Sequence, residues 1–160
     1  MLVKELSRIK IHPAYRFFNA RECFVQKNME VGGRALVEML DNSISKKCSI
    51  VPIPIKIFSL LETKNDRDIS KELPKRHFWG RKDLWVIPQL IAEQPRGGKG
   101  TLVSKTGCTN LFYFRDGNKK ITVSVYWTYG YTKWSVYGWE YEFMESWKAG
   151  AKIFCPDFSG

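Results

Sequence analysis

The clearest alternation of apolar and polar positions begins at Leu111. Leu111 to Phe114 form an apolar run that leads into Arg115-Asp116-Gly117-Asn118, and apolar character resumes at Ile121. The Asp-Gly pair supplies the left-handed backbone that a tight hairpin needs, so two strands joined by a short turn are predicted. In the second strand Ile121, Val123, Val125, Trp127 and Tyr129 fall on one face, and Thr122, Ser124, Tyr126 and Thr128 on the other. The first face reads as core and the second as more polar. Gly130 to Lys133 make the next turn, after which Tyr137, Trp139, Tyr141 and Phe143 alternate with Gly138, Glu140 and Glu142. Connections this short pair neighbouring strands antiparallel, which predicts a β-meander.

Upstream the periods are weaker. Ala35, Leu36, Met39, Leu40 and Ile44 recur at helical spacing and predict a helix from about Gly33 to Ile44; the competing reading is a strand in which Ala35, Val37 and Met39 alternate, closed by an Asp41-Asn42-Ser43 turn. The first thirty residues mix charge, aromatics and Pro13, and read as a short strand or arm followed by irregular structure. The run from Cys48 to Leu61 is apolar and β-branched, but Pro52 and Pro54 cannot donate to a ladder, so it is predicted to be an edge strand. Glu62 to Arg76 is charged and suits a solvated loop or short helix. Leu84 to Ile87 reads as another strand ended by Pro88, and Pro95 to Thr101 as a flexible, basic glycine loop. The expected fold is mainly β (α+β), an antiparallel β-sandwich or meander with one or two flanking helices. A single domain over 1–160 is expected, with an N-terminal arm and helix over 1–46 and a β-rich core over 47–155.

Composition changes this picture in one respect. With 160 residues, 44% apolar and 26% charged, the chain can close a core, but 26 Lys and Arg against 16 Asp and Glu leave a net charge of +10. Such an excess favours polyanionic partners, nucleic acid or an anionic lipid surface; the plainer alternative is a solvated basic exterior with no specific partner. Within Lys120 to Lys148 lie four of the six Trp and five of the seven Tyr. Rings with an apolar body and a polar tip suit the membrane–water interface, base stacking and protein recognition, so their density points to a surface. No stretch approaches the roughly 20 apolar residues of a spanning helix. The N-terminus lacks the continuous apolar segment of a signal peptide, which predicts a cytoplasmic protein or the mature form of a secreted one. None of the six Asn residues begins an N-x-Ser/Thr sequon, which favours an intracellular or unglycosylated protein.

No motif calls for a catalytic residue, metal or cofactor. In the glycine loop Lys99 is followed by Gly100 rather than Ser or Thr, and the first glycine of a phosphate loop would fall on Glu93. Asp66, Asp68 and Glu72 lie in a Lys-rich setting and read as solvated, salt-bridged charge rather than metal ligands. Cys23, Cys48, Cys108 and Cys155 lack zinc spacing with His12 and His77 and read as small core residues, disulfide pairing being the alternative. His77 stands among Lys75, Arg76, Phe78, Trp79, Arg81 and Lys82, a cluster suited either to phosphate or headgroup contacts or to an anchored basic loop. Arg96 and Lys99 add a second basic loop.

From Gly97 to Lys148, about a third of the chain, the sequence resembles the central part of actinoporin-like pore-forming proteins. The shared features are the basic glycine loop, a Thr106-Gly107 step before an apolar strand, the Asp116-Gly117-Asn118 hairpin, and an apolar strand opening into a Tyr- and Trp-rich loop. The resemblance implies a β-sandwich flanked by helices, whose aromatic loop binds phosphocholine headgroups before an N-terminal amphipathic helix inserts. Tyr129, Trp134 and Tyr137 fall where that family places its headgroup-binding aromatics, whereas its Ser-x-Pro step would fall on Tyr126-Trp127-Thr128. Arg34 to Lys47 looks like the family's first sandwich strand. The expected lipid-binding set is therefore Tyr129, Tyr131, Lys133, Trp134, Tyr137 and Trp139, with membrane lipid headgroups as partners. Nucleic acid, stacked on the same rings and held by the basic loops, is the alternative.

Overall fold

The computed structural model describes residues 1–13, 17–18, 23–24, 29–42, 46–47 and 52–158. In chain order the strands are β1 (Val3–Ile11), β2 (Phe17–Phe18), β3 (Met29–Gly32), β4 (Lys46–Lys47), β5 (Ile53–Leu60), β6 (Trp79–Gly80), β7 (Asn110–Asp116), β8 (Lys119–Thr128), β9 (Lys133–Glu140) and β10 (Lys152–Pro156). Among the described residues the α-helices with defined bounds are α1 (Arg34–Asp41), α2 (Asp66–Glu72) and α3 (Val86–Ala92). The fold is mainly β, of α+β type. Eight strands form one sheet in the order β1-β5-β10-β7-β8-β9-β3, with β6 beside β7, while β2 and β4 pair separately.

The predicted meander is present as β7–β8–β9. Asp116 pairs with Lys119 across a two-residue turn whose Gly117 has φ 61, and β8 pairs with β9 from Ile121–Glu140 to Thr128–Lys133. The rest of the sheet is mixed: β3 runs parallel to β9, and both β10 and β6 run parallel to β7. These parallel contacts join segments far apart in sequence, which no local pattern encodes.

Several expectations are corrected. The segment after Gly33 is a helix, with Ala35, Leu36, Met39 and Leu40 buried, so the strand reading that the family resemblance favoured does not hold there. Its entry needs glycine twice: Gly33 has φ 83 and lies against the Gly138 backbone, and a Cβ on Gly138 would strike Leu36. β5 is an interior strand between β1 and β10, not an edge. Its prolines cause no loss of pairing, because Pro52 lies outside the strand and Pro54 precedes the first β10 pair, Ile55–Pro156. Leu84 to Ile87 are helical rather than extended: Leu84 follows a 3₁₀ turn (Arg81–Asp83), and Ile87 N–H already bonds to Leu84 C=O, so Pro88 in the first turn of α3 omits a donor with no partner to lose. A continuous apolar run fits a buried helix as well as a strand. Cys23, Cys108 and Cys155 are free thiols, and Cys155 alone of these is fully buried; Cys48 lies outside the described residues.

The central strands of the sheet are buried on both faces. On one, Ile55, Ile57, Phe112, Phe114, Val123, Val125, Trp134 and Val136 pack under α1 and α3; on the other, Leu111, Tyr113, Ile153 and Cys155 pack with Ile69 and Leu73 of the α2 segment and with Trp147. Thr122 and Ser124, on the face expected to be the more polar one, are therefore buried as well. That second cover is anchored by Asp66, which is fully buried rather than solvated. Its carboxylate accepts from Tyr113 Oη (2.9 Å), Thr122 Oγ1 (3.0 Å), Trp147 Nε1 (2.6 Å) and the Glu142 amide (2.8 Å). Four donors compensate for the water that a buried carboxylate gives up.

Candidate binding surface at the β8–β9 turn

The turn from Tyr129 to Thr132 is closed by bonds from Tyr131 N–H to Thr128 C=O and from Thr132 N–H to Tyr129 C=O. Thr132 is held at φ 49, a left-handed conformation that costs a β-branched residue energy. Tyr129 and Tyr131 project from this turn with 56% and 71% of their surface exposed, and Lys133 is exposed beside them. Trp134 is the exception among the expected surface residues. It is wholly buried, donating Nε1–H to Gln94 C=O at 2.7 Å and packing edge-on to Trp127 at 5.4 Å. Its indole therefore belongs to the core under α3.

The glycine loop is folded onto the same end of the sheet. Gln94 holds it from within: its amide nitrogen donates to Gly98 and Leu102 C=O at 2.8 and 2.9 Å, and its amide oxygen accepts from Leu102 N–H at 3.1 Å. Ser104 Oγ donates to Gly98 C=O at 2.6 Å, and Tyr129 Oη donates to Ser104 C=O at 2.8 Å. Gly97, at φ 69, lies so close to the Trp127 ring that a Cβ would overlap it. Residues expected to form a flexible loop are thus tied to the aromatic turn by side-chain and backbone contacts.

This arrangement divides the basic residues into two groups. Arg96 and Lys99 stand beside the turn, joined by Lys105, which the sequence reading did not single out; all three are exposed and, like Lys133, make no ion pair with a described residue. Lys152 also points here, donating to Thr101 C=O at 3.0 Å, and its partial burial lowers its pKa. Arg81 is at the opposite end of β7, bound to Asp116 at 2.6 Å and to Asn42 C=O at 3.0 Å, while Lys82 follows it and Lys75 and Arg76 precede β6. These four residues are not part of the aromatic turn. His77, in the same segment, is buried between Pro74 C=O (2.8 Å from Nδ1) and Ser70 Oγ (3.2 Å from Nε2), and burial lowers its pKa. An imidazole with both nitrogens engaged and its charged form disfavoured positions the backbone rather than contacting a headgroup.

Tyr137 and Trp139 occupy a third setting, half-buried on the face away from α1. They belong to a row of near-parallel rings: Tyr126–Tyr137 at 6.2 Å, Tyr137–Trp139 at 6.3 Å and Trp139–Phe143 at 4.8 Å between centroids. Tyr137 Oη donates to Glu30 at 2.8 Å, and this bond, with some desolvation, raises the Tyr137 pKa. Rings stacked on each other and capped by a carboxylate are partners of their neighbours first. Of the six residues expected to bind lipid, Tyr129, Tyr131 and Lys133 form the exposed tip, Tyr137 and Trp139 lie along the sheet, and Trp134 is core.

Among the described residues no group of His, Cys, Asp and Glu is arranged to hold a metal ion, and no helix is long and apolar enough to cross a membrane. No family model, curated protein or solved structure gives a significant match to the chain.

Proposed function

We propose that the protein binds membrane surfaces through the β8–β9 turn. The observation that carries this reading is the pairing of two exposed rings, Tyr129 and Tyr131, with unpaired cations at a projecting end of the sheet. A phenol ring that keeps its hydroxyl in the headgroup layer gains about 25 cal/mol for each Å² of apolar surface it buries there, and each nearby Lys or Arg adds roughly 1 kcal/mol at an anionic surface. The turn is also rigid enough to present the rings: Tyr129 is tethered to Ser104, and Trp127 and Trp134 fix the strand ends beneath it. The likeness to actinoporin-like proteins supports surface binding on Tyr129 and gains nothing from Trp134, which lies inside.

The test is co-sedimentation with liposomes. Tyr131→Ala and Tyr129→Ala are expected to lower binding by about tenfold each, for loss of about 50 Å² of inserted ring surface at 25 cal/mol per Å², while leaving the fold intact. Sedimentation of both variants with wild-type affinity would remove the turn from the interface.

A further inference from the structure

The chemistry of the lipid can be read from the glycine loop, in an argument that rests on the surface-binding reading above. From Gln94 to Trp139 the chain contains a single acidic residue, Asp116, and it lies in the β7–β8 turn at the far end of the sheet, bound to Arg81. The nearest carboxylate in sequence, Glu93, is engaged with Gln89 at 3.4 Å, and Glu62 is beyond β5, separated from β8 by β10 and β7. Among the described residues this end of the sheet therefore presents four cations, Arg96, Lys99, Lys105 and Lys133, against two exposed carboxylates at its margins: Glu93, three residues before Arg96, and Glu30 on β3, which pairs with Ser135 and accepts from Tyr137 Oη. A quaternary ammonium would find rings here but four repelling cations; a phosphate or other anionic headgroup finds attraction from each.

The backbone adds direction to this charge. Gly98 C=O is turned inward, where it accepts from both Gln94 and Ser104, and Gly97 and Gly98 reach that orientation at φ 69 and 74. Across a trans peptide the C=O and the following N–H point oppositely, so the Lys99 N–H faces outward, on the same residue as an exposed ammonium. An amide and an ammonium that face outward together form an anion contact of the kind used by phosphate-binding loops. We infer that the tip selects anionic phospholipid headgroups over choline headgroups, with the Lys99 amide and ammonium as the central phosphate contact and Arg96, Lys105 and Lys133 as its electrostatic rim. Tyr129 and Tyr131 then enter the interface beside the bound headgroup.

Vesicles of phosphatidylcholine alone and of phosphatidylcholine with one-fifth phosphatidylglycerol separate the possibilities. Binding is expected to be at least tenfold tighter to the mixed vesicles and to weaken as salt is added. Lys99→Ala and Lys105→Ala should each weaken binding to the mixed vesicles by about fivefold, while Lys82→Ala at the opposite end should leave it unchanged. Equal binding to both vesicle types, or an equal loss in the Lys82 variant, would overturn anion selection by this loop and leave surface binding standing. Failure to bind either vesicle would instead overturn the surface-binding reading itself. Inorganic phosphate that blocks the mixed vesicles at low millimolar concentration would assign the contact to a small anion, and a single-stranded oligonucleotide bound more tightly than the vesicles would assign the tip to nucleic acid; either result overturns the inference.

Discussion

Trp134 and Tyr131 are three residues apart in one hairpin, yet one is wholly buried and the other is the most exposed ring of the segment. The difference lies in what each polar atom can reach. Trp134 Nε1 finds Gln94 C=O, Trp79 Nε1 finds Phe154 C=O, and Tyr113 and Trp147 share Asp66; each of these rings is buried with its donor satisfied. Tyr131, on a turn beyond the last strand pair, has no such acceptor beside it and leaves its hydroxyl in water. A buried ring needs an acceptor for its polar atom, but an acceptor alone does not bury a ring: Tyr129 reaches Ser104 C=O and is still 56% exposed.

Removing the acceptor is the most severe way to break this contrast. Asp66→Ala strands the Tyr113, Thr122 and Trp147 donors and the Glu142 amide inside the protein, and is expected to cost about 3 kcal/mol or more, read as a lower midpoint in urea unfolding. Trp134→Ala comes next: the lost ring and the cavity left behind cost about 3–5 kcal/mol, so any loss of vesicle binding in this variant follows its unfolding curve. A smaller effect is expected from Gly138→Ala, whose Cβ would meet Leu36 and push α1 from the sheet, for about 1–3 kcal/mol of overpacking. Tyr131→Ala should leave stability within about 0.5 kcal/mol while it reduces binding. If Tyr131→Ala unfolded the protein as Trp134→Ala does, the two rings would not differ in kind.

Titration sharpens the same comparison. His77 is buried and its pKa is lowered from 6.5, so between pH 6.5 and the lower folded value the unfolded chain binds more protons. Its contribution to stability is complete above pH 6.5 and is lost as the pH falls. Acid unfolding should therefore begin earlier in the wild type than in a His77→Gln variant, normalised to their stabilities at neutral pH. At the turn, Thr132→Gly relieves the left-handed strain at φ 49 and is expected to stabilise by up to about 1 kcal/mol.

Much of the meander was legible in the chain. Its strands carry period-2 alternation, and the two-residue Gly117-Asn118 turn, with Gly117 in the left-handed conformation, fixes the register between β7 and β8. The α1 helix was legible too, through its apolar stripe, although the strand alternative fitted Ala35, Val37 and Met39 equally well. Leu84 to Ile87 and the Pro52-Pro54 segment were misread for opposite reasons. In the first, an apolar run buried on all sides has no period; in the second, two prolines suggested an edge that the arrival of β10 some hundred residues later removed. Asp66 was read as solvated because its neighbours in sequence are charged, whereas its four donors lie between 47 and 81 residues away.

Local sequence determined the turns, the strand alternation, the basic charge and the run from Gln94 to Trp139 with one acidic residue, which makes the aromatic end of the sheet predominantly cationic. Those follow from backbone preference and composition, which act over a few residues. Which rings lie inside was decided only by the tertiary structure. Burying an indole or phenol takes both packing from a distant element and an acceptor for its polar atom, and Gln94 and Asp66 supply those acceptors from 40, 47 and 81 residues away in the chain.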